Sequence, residues 1–363
     1  MTDDTLVEQF GLAVPVIQAP MAGISSAEVV IAASQAGFLG SLGAGMMSPA
    51  DIETSLCQIR SATASAFNVN LFIVDHLPNY HLEPQETLFL RHIYEKLELD
   101  FVLPAQYAPS FHEQFEVLLH GKPPVASFTF GILTREQVSS LHAQGIFVYG
   151  TATTTAEAQA WVEVGADGVC AQGIEAGGHR GSFLSDGKNG VGLLPLVREI
   201  VRDVPIPVIA AGGIMDGAGI VAAISLGAEA VQMGTAFLGS ADAALTPAYK
   251  TALAQHLPAE STILTNVFSG RLARGIYNQF IAEYGGRQPL PYPVQNALTQ
   301  ALRKKATQDG DVENMSLWAG QGLRLIRDIS FKELAMTLQD EMHTTIKKVN
   351  AALSVAMRCG RNG

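Results

Sequence analysis

Short apolar runs alternate with amphipathic ones along the first two thirds of the chain. Residues 15–20 (PVIQAP), 38–43, 67–72 (FNVNLF), 125–131, 146–152, 168–173, 207–213 (PVIAAGG) and 230–234 (AVQMG) are apolar and bounded by Gly, Pro or polar residues. Runs of that kind are expected to form strands buried on both faces. Between them lie helix-period segments with start and stop signals. Ser25 or Ser26 caps 27–36 before Gly37, and Ser48-Pro49 opens 49–62. Residues 135–143 end at Gly145, Thr155 caps 156–164 before Gly165, and Asp216 caps a helix ended by Gly227. Residues 193–204 complete the helical set. Eight strand-then-helix units with no reversal midway predict parallel strands joined by crossovers, hence an α/β (β/α)8 TIM barrel. A doubly wound open sheet is the alternative.

Two stretches break the rhythm. Residues 76–124 contain a charged helical run (85–99), an apolar run (101–104) and a helix near 112–120, expected as an insertion over the barrel top plus one helical layer. After Ser240 the alternation stops. Residues 246–257 and 296–306 look helical, 268–284 carry Arg271, Arg274, Tyr277, Asn278 and Tyr284, and 285–293 are rich in Gly and Pro. The expected organisation is a barrel over 1–239, a lid inserted at 240–314, and C-terminal segments at 315–363 whose long helix, 331–356, closes the barrel. The Arg and aromatic residues of the lid suit either a pocket lining or ordinary packing.

Composition narrows the class. Hydrophobic residues make up 48% of the 363, charged residues only 16%, and mean hydropathy is +0.21, which suits a packed α/β enzyme rather than a disordered chain. A net charge of −11 repels a phosphate backbone and argues against nucleic acid. The cysteines, Cys57, Cys170 and Cys359, show no CxxC spacing, as expected for free thiols in a reducing compartment and not for a zinc site. The N-terminus lacks the basic and apolar regions of a signal peptide, and no apolar run reaches the ~18 residues of a membrane span. A cytoplasmic location is expected.

Candidate chemistry gathers in residues 167–182. The apolar Val169-Cys170-Ala171 turns polar at Gln172 and breaks into Gly173, Gly177, Gly178 and Gly181, among which stand Glu175, His179 and Arg180. Such a loop lets backbone approach a ligand and carries one imidazole able to move a proton near neutrality. Arg180 either steers an anion or pairs with Glu175. In a barrel the working groups lie at the strand C-termini, here Gln18 to Met21, Asn70, Gln172, Gly212-Gly213 and Gln232-Met233-Gly234-Thr235. The last two groups follow strands seven and eight, the usual phosphate cradle of the fold, although glycines there also make simple turns. Amides at Asn70, Gln172 and Gln232 can donate and accept toward a planar heterocycle such as a flavin, or can satisfy backbone instead.

The runs QAPMAG (18–23), FNVNLF (67–72), AQGIEAGGHRG (171–181), 207–214 and QMGT (232–235) resemble motifs of the nitronate monooxygenases, formerly called 2-nitropropane dioxygenases. FSGRLARG (268–275), LPYP (290–293) and SLWAGQG (316–322) are similar to later runs of that family. The resemblance implies an FMN-bearing TIM barrel that uses O2 to convert alkyl nitronates to carbonyl compounds and nitrite. It implies Met21, Asn70, Gln172, Gly177, Gly178, Gly213, Gln232, Met233, Gly234 and Thr235 as FMN contacts and His179 as catalytic base. Two places depart from the pattern. The first loop reads AGISS (22–26) where a second glycine and paired threonines are expected, and Gly37-Phe38 stands for a Gly-Gly. Both bear on substrate preference more than on the cofactor. An FMN-dependent NAD(P)H enoyl or quinone reductase on the same barrel is the nearest alternative, although such reductases generally lack the EAGGHRG loop. A barrel of the inosine monophosphate dehydrogenase type wants a cysteine in the loop after strand six, whereas Cys170 lies within the strand. A flavin-binding module without catalysis would not need His179.

Overall fold

The computed structural model describes residues 5–74, 82–188 and 190–359. The start of the expected insertion, 76–81, lies outside the described residues. Strands β1 (Val16–Gln18), β2 (Gly40–Gly43), β3 (Phe67–Phe72), β4 (Val125–Thr129), β5 (Phe147–Ala152), β6 (Gly168–Gln172), β8 (Val208–Ala211) and β9 (Ala230–Met233) form one parallel sheet. Its order is β1-β9-β8-β6-β5-β4-β3-β2. The ring closes where Ile17 bridges Leu39 in parallel, with Gln18 N donating to Leu39 O at 3.0 Å and Leu39 N to Val16 O at 3.1 Å. The protein is a (β/α)8 barrel.

Helices wrap the outside because their apolar faces have only the sheet to bury against. Most helix starts follow the sequence signals. Ser48 accepts from Asp51 N ahead of Pro49, and Asp216 accepts from Gly219 N. One cap differs from the expectation: Thr154, not Thr155, accepts from Glu157 N, and Thr155 is the first helical residue. A β-region cap at Thr154 frees Thr153 to bond the Glu157 carboxylate, which sets the helix start one residue earlier.

The barrel interior is graded. Its lower layer is apolar, formed by Ile17, Leu39, Val125, Cys170, Ile209 and Ala230, and is plugged by Leu6 and Phe10 of the first helix (Leu6–Phe10). One residue pair higher, the same inward faces turn polar. Asn68 Nδ2 shares its two hydrogens among Ser41 Oγ (3.1 Å), Ser127 Oγ (2.9 Å) and the Tyr149 hydroxyl (3.0 Å), all within hydrogen-bond distance, which joins four strands. The period-two alternation of strands makes this layering inevitable once the ring closes.

A second apolar cluster lies beside the barrel mouth. The helix Pro84–Lys96 contributes Leu90, Ile93 and Tyr94, and residues from 267 to 302 contribute Phe268, Phe280, Ile281, Tyr284 and Leu298. The two stretches that break the barrel rhythm thus pack on each other, and the Tyr94 hydroxyl donates to Leu298 O at 2.8 Å. A three-stranded antiparallel sheet, β10 (Thr262–Thr265), β11 (Ala273–Ile276) and β7 (Gly178–His179), ties this cluster to the barrel. The final helix, Phe331–Cys359, returns to the barrel and packs against Gly217–Ser225. Among the described residues no helix is long and apolar enough to cross a membrane, and no His, Cys, Asp and Glu cluster suits a metal.

Candidate active site

A cavity of about 500 Å³ opens at the C-terminal ends of the barrel strands. That volume lies in the usual range for small-molecule sites. All eleven residues singled out in the sequence (Met21, Asn70, Gln172, Gly177, Gly178, His179, Gly213 and Gln232 through Thr235) line it. What each can do there differs.

Gln172 is spent on its own loop. Its Nε2 donates to His179 O at 3.0 Å and its Oε1 accepts from Gly181 N at 2.9 Å. The strand end therefore holds the His179 backbone in place, and β11 holds it from the other side, with Ala273 opposite His179 and Arg274 opposite Gly178. This short strand was missed in the sequence because two residues in a glycine run carry no strand pattern, and their partner lies about ninety residues on.

Ser269 selects the His179 tautomer. The His179 Nε2 lies 2.8 Å from Ser269 Oγ, and that hydroxyl gives its one proton to Arg271 O at 3.0 Å. It can therefore only accept from the imidazole, so Nε2 carries the hydrogen and Nδ1 keeps the lone pair. Among the described residues Nδ1 has no partner. The ring stands between Phe130, Tyr292 and Trp318, with centroids 5.6, 5.8 and 5.5 Å away. Burial, then the charges of Arg271 and Arg303, pull its pKa down to about 3, so the ring is neutral across the physiological range.

Ser269, Tyr292 and Trp318 come one each from the three later runs of the family pattern, which only the fold brings to one place. Phe130, at the end of β4, has φ of 80°, a costly conformation for an aromatic residue. Arg271 lies over its outer ring face at 4.2 Å. Arg271 also donates to Arg180 O and Ser182 O, so its role is to brace the loop. Of the other residues in 268–284, Arg274 donates to Ile174 O, Asn278 caps a helix, Tyr284 is buried in the second cluster and Tyr277 faces solvent. Packing, not pocket lining, accounts for them.

Arg180 does not line the cavity, and Glu175 attracts it through charge alone, with no direct bond between them. It is 2% exposed and donates to Gly173 O (2.6 Å) and Gln172 O (3.1 Å), while Glu175 accepts from Leu193 N. Its charge faces Glu157, a fully buried carboxylate that sequence reasoning passed over. Glu157 accepts from Thr153 N and Oγ1 and from Phe183 N and Leu184 N, at 2.6 to 3.0 Å. The only sequence signal was its place in the first turn of a helix, shared with many surface acids. Cys170 lies in the dry lower layer, where burial pushes its thiol up to about 12, and it is no nucleophile.

The ends of β8 and β9 offer unpaired donors. Gly213 has φ of +70°, and among the described residues the N–H groups of Gly213, Gly234 and Thr235 have no acceptor. The Tyr149 hydroxyl donates to Gln232 Oε1 at 3.0 Å, and the Gln232 Nε2 has no acceptor among the described residues. A close approach fixes the far wall. A Cβ on Gly177 would sit 2.5 Å from Gly320 N, so only glycine lets the two loops meet, and Gln321 N donates to Glu175 O there.

The family model described as nitronate monooxygenase matches residues 3–341. A probable nitronate monooxygenase of Staphylococcus haemolyticus is 39% identical over 356 residues, spanning 96% of this chain and 99% of that protein. The solved nitroalkane oxidase of Streptomyces ansochromogenes superposes with a TM-score of 0.87 at 37% identity, covering 95% of this chain and 100% of that one. FabK of Thermotoga maritima is more distant, with a TM-score of 0.76 and 28% identity over 97% of this chain and 100% of that one. With a family match across almost its whole length, on a barrel whose mouth carries the matching loop, this chain belongs to the nitronate monooxygenase family and is a flavin-dependent oxidoreductase.

Proposed function

We propose that the protein binds FMN in the barrel mouth and uses O2 to oxidise alkyl nitronates to carbonyl compounds and nitrite, with His179 as base when the substrate is a neutral nitroalkane. The observation that carries this reading is the neutral ring of the cavity-lining His179, held by Ser269 through Nε2 and with Nδ1 unpartnered among the described residues. A mere binding module has no need of a tautomer set in this way.

The residues fit FMN. The unpaired N–H groups of Gly213, Gly234 and Thr235 suit a phosphate, and the Gln232 amide suits the polar edge of a planar ring system, to which Asn70 offers only its Oδ1 because its Nδ2 donates to Ser127 Oγ and Thr129 Oγ1. The chemistry supplied by bound flavin is the reversible acceptance of electrons, which O2 can then take up. The chain's own residues do the rest. His179 takes the carbon-bound proton, and Phe130, Tyr292 and Trp318 exclude water and bury the alkyl chain. The segment 240–314 closes the mouth over them. A nitronate is already deprotonated and electron-rich, so it needs neither the base nor a nicotinamide.

The purified protein is expected to be yellow and to consume O2 with ethyl nitronate alone. A preparation that takes up no FMN, or one that turns over only with NADH, overturns the reading, the second result in favour of an enoyl or quinone reductase. The pH profile gives a separate check. Because the His179 pKa lies near 3, well below its ordinary 6.5, the base stays competent as pH falls through neutrality. The kcat/KM for neutral nitroethane should stay level on the acid side down to about pH 5. An acid limb at pH 6.5 would mean a solvated His179 and a different local structure.

A further inference from the structure

We propose that Arg303, together with the Tyr292 hydroxyl, forms an anion subsite that holds the oxygens of the substrate's nitro group; the assignment rests on the reaction proposed above. Among the described residues Arg303 is the one ionised side chain in the cavity lining, and no Asp or Glu lines it. Its guanidinium is positioned by two neighbours. Nε donates to Thr299 Oγ1 at 3.3 Å, and Nη2 donates to Asn296 O (2.8 Å) and Asn296 Oδ1 (3.0 Å). No carboxylate lies within ion-pair distance, and Nη1 has no acceptor among the described residues. A positioned cation with an unspent donor and no counter-ion, facing a cavity, is an anion site lacking only its anion.

Tyr292 supplies a second donor. Its hydroxyl meets only Met46 Sδ, at 3.3 Å, and a thioether is a weak acceptor. The ring is 5.8 Å from His179 centroid to centroid, and the charge of Arg303 is felt at both His179 and Tyr292. Base and cation therefore serve one chamber.

The pairing resolves a tension in the site. Arg303 helps make His179 a poor base, which alone would slow proton abstraction. When the α C–H bond breaks, however, the proton goes to Nδ1 and its electron pair moves into the C=N bond, leaving the negative charge on the two nitro oxygens. Those oxygens then lie beside Arg303, so the cation stabilises the product anion, which in turn raises the basicity of His179. Nitronates offered directly bind through the same contact.

Inorganic nitrate, planar and anionic like the nitronate group, is the probe. Calorimetric titration of the FMN-loaded protein with sodium nitrate at constant ionic strength is expected to give saturable binding. Arg303→Gln should weaken it about ten- to a hundredfold, as loss of a charge-assisted hydrogen bond implies. Arg303→Lys should fall between, Tyr292→Phe should lose several-fold, and the KM for ethyl nitronate should rise in the same order with FMN retained. Equal nitrate affinity in wild type and Arg303→Gln, or no nitrate binding at all, overturns the subsite. So does a KM penalty confined to nitronates bearing a second acidic group, which would move Arg303 from the reacting end to the far end of the substrate. Should Arg303→Gln fold poorly, Arg303→Lys and Tyr292→Phe carry the test. Nitrate binding that depends on Arg303 in a protein inert to nitronates supports the subsite and overturns the reaction.

Discussion

His179→Ala is expected to lower turnover of neutral nitroalkanes by about two to four powers of ten, the usual loss when a positioned base is removed. Preformed nitronates should keep most of their rate, within about tenfold, because their proton has already left. The split between substrates is the diagnostic. The imidazole bonds one hydroxyl and packs against three rings, so a purely structural role predicts that both activities fall together with FMN retention or thermal stability. Oxygen uptake on nitroethane and on ethyl nitronate, measured with flavin content and melting temperature on the same samples, separates the cases. Equal losses with FMN still bound would leave His179 an electrostatic role.

The second large effect should come from a residue that does not line the cavity. Glu157→Ala removes the acceptor of four donors, Thr153 N and Oγ1, Phe183 N and Leu184 N, and the charge facing buried Arg180. Buried donors left unpaired beside a cation that keeps only the more weakly acting Glu175 point to a loss of about 3–5 kcal/mol. For a chain of this size that lowers the melting temperature by about 5 °C. Residues 181–184 continue directly from His179 and Arg180, so kcat should drop along with stability. Glu157→Gln keeps one acceptor oxygen and should lose less of both. A melting temperature within about 1 °C of wild type in Glu157→Ala would show that water replaces the carboxylate and that β11, Gln172 and Arg271 suffice to hold the loop.

The alternation of apolar runs with capped helices was enough for the barrel. A parallel strand buried on both faces must be continuously apolar, and the crossover between two such strands must be a helix, so local pattern and global topology say the same thing. Once the ring closes, strand ends share one rim, which is why Asn70, Gln172, Gly213 and Gln232 could be grouped before any contact was known. Residues 167–182 stood out for a similar reason, since a buried strand that opens into glycines around a single imidazole suits a ligand-facing loop.

What the sequence could not decide is what those residues do to one another. Gln172 clamps the His179 loop, and Arg180 staples it to carbonyls, because burial obliges each polar group to find a partner wherever the chain brings one. The tautomer of His179 depends on Ser269, and its electrostatic setting on Arg271 and Arg303, all from beyond the barrel. Glu157 looks like any first-turn acid until the loop at 183–184 folds over it. Local pattern determined the barrel and its rim because strand and helix periods are short-range properties. The chemistry of the rim was decided by tertiary contacts, some within the glycine loop itself and others, such as His179 with Ser269, about ninety positions apart, whose partners no local pattern encodes.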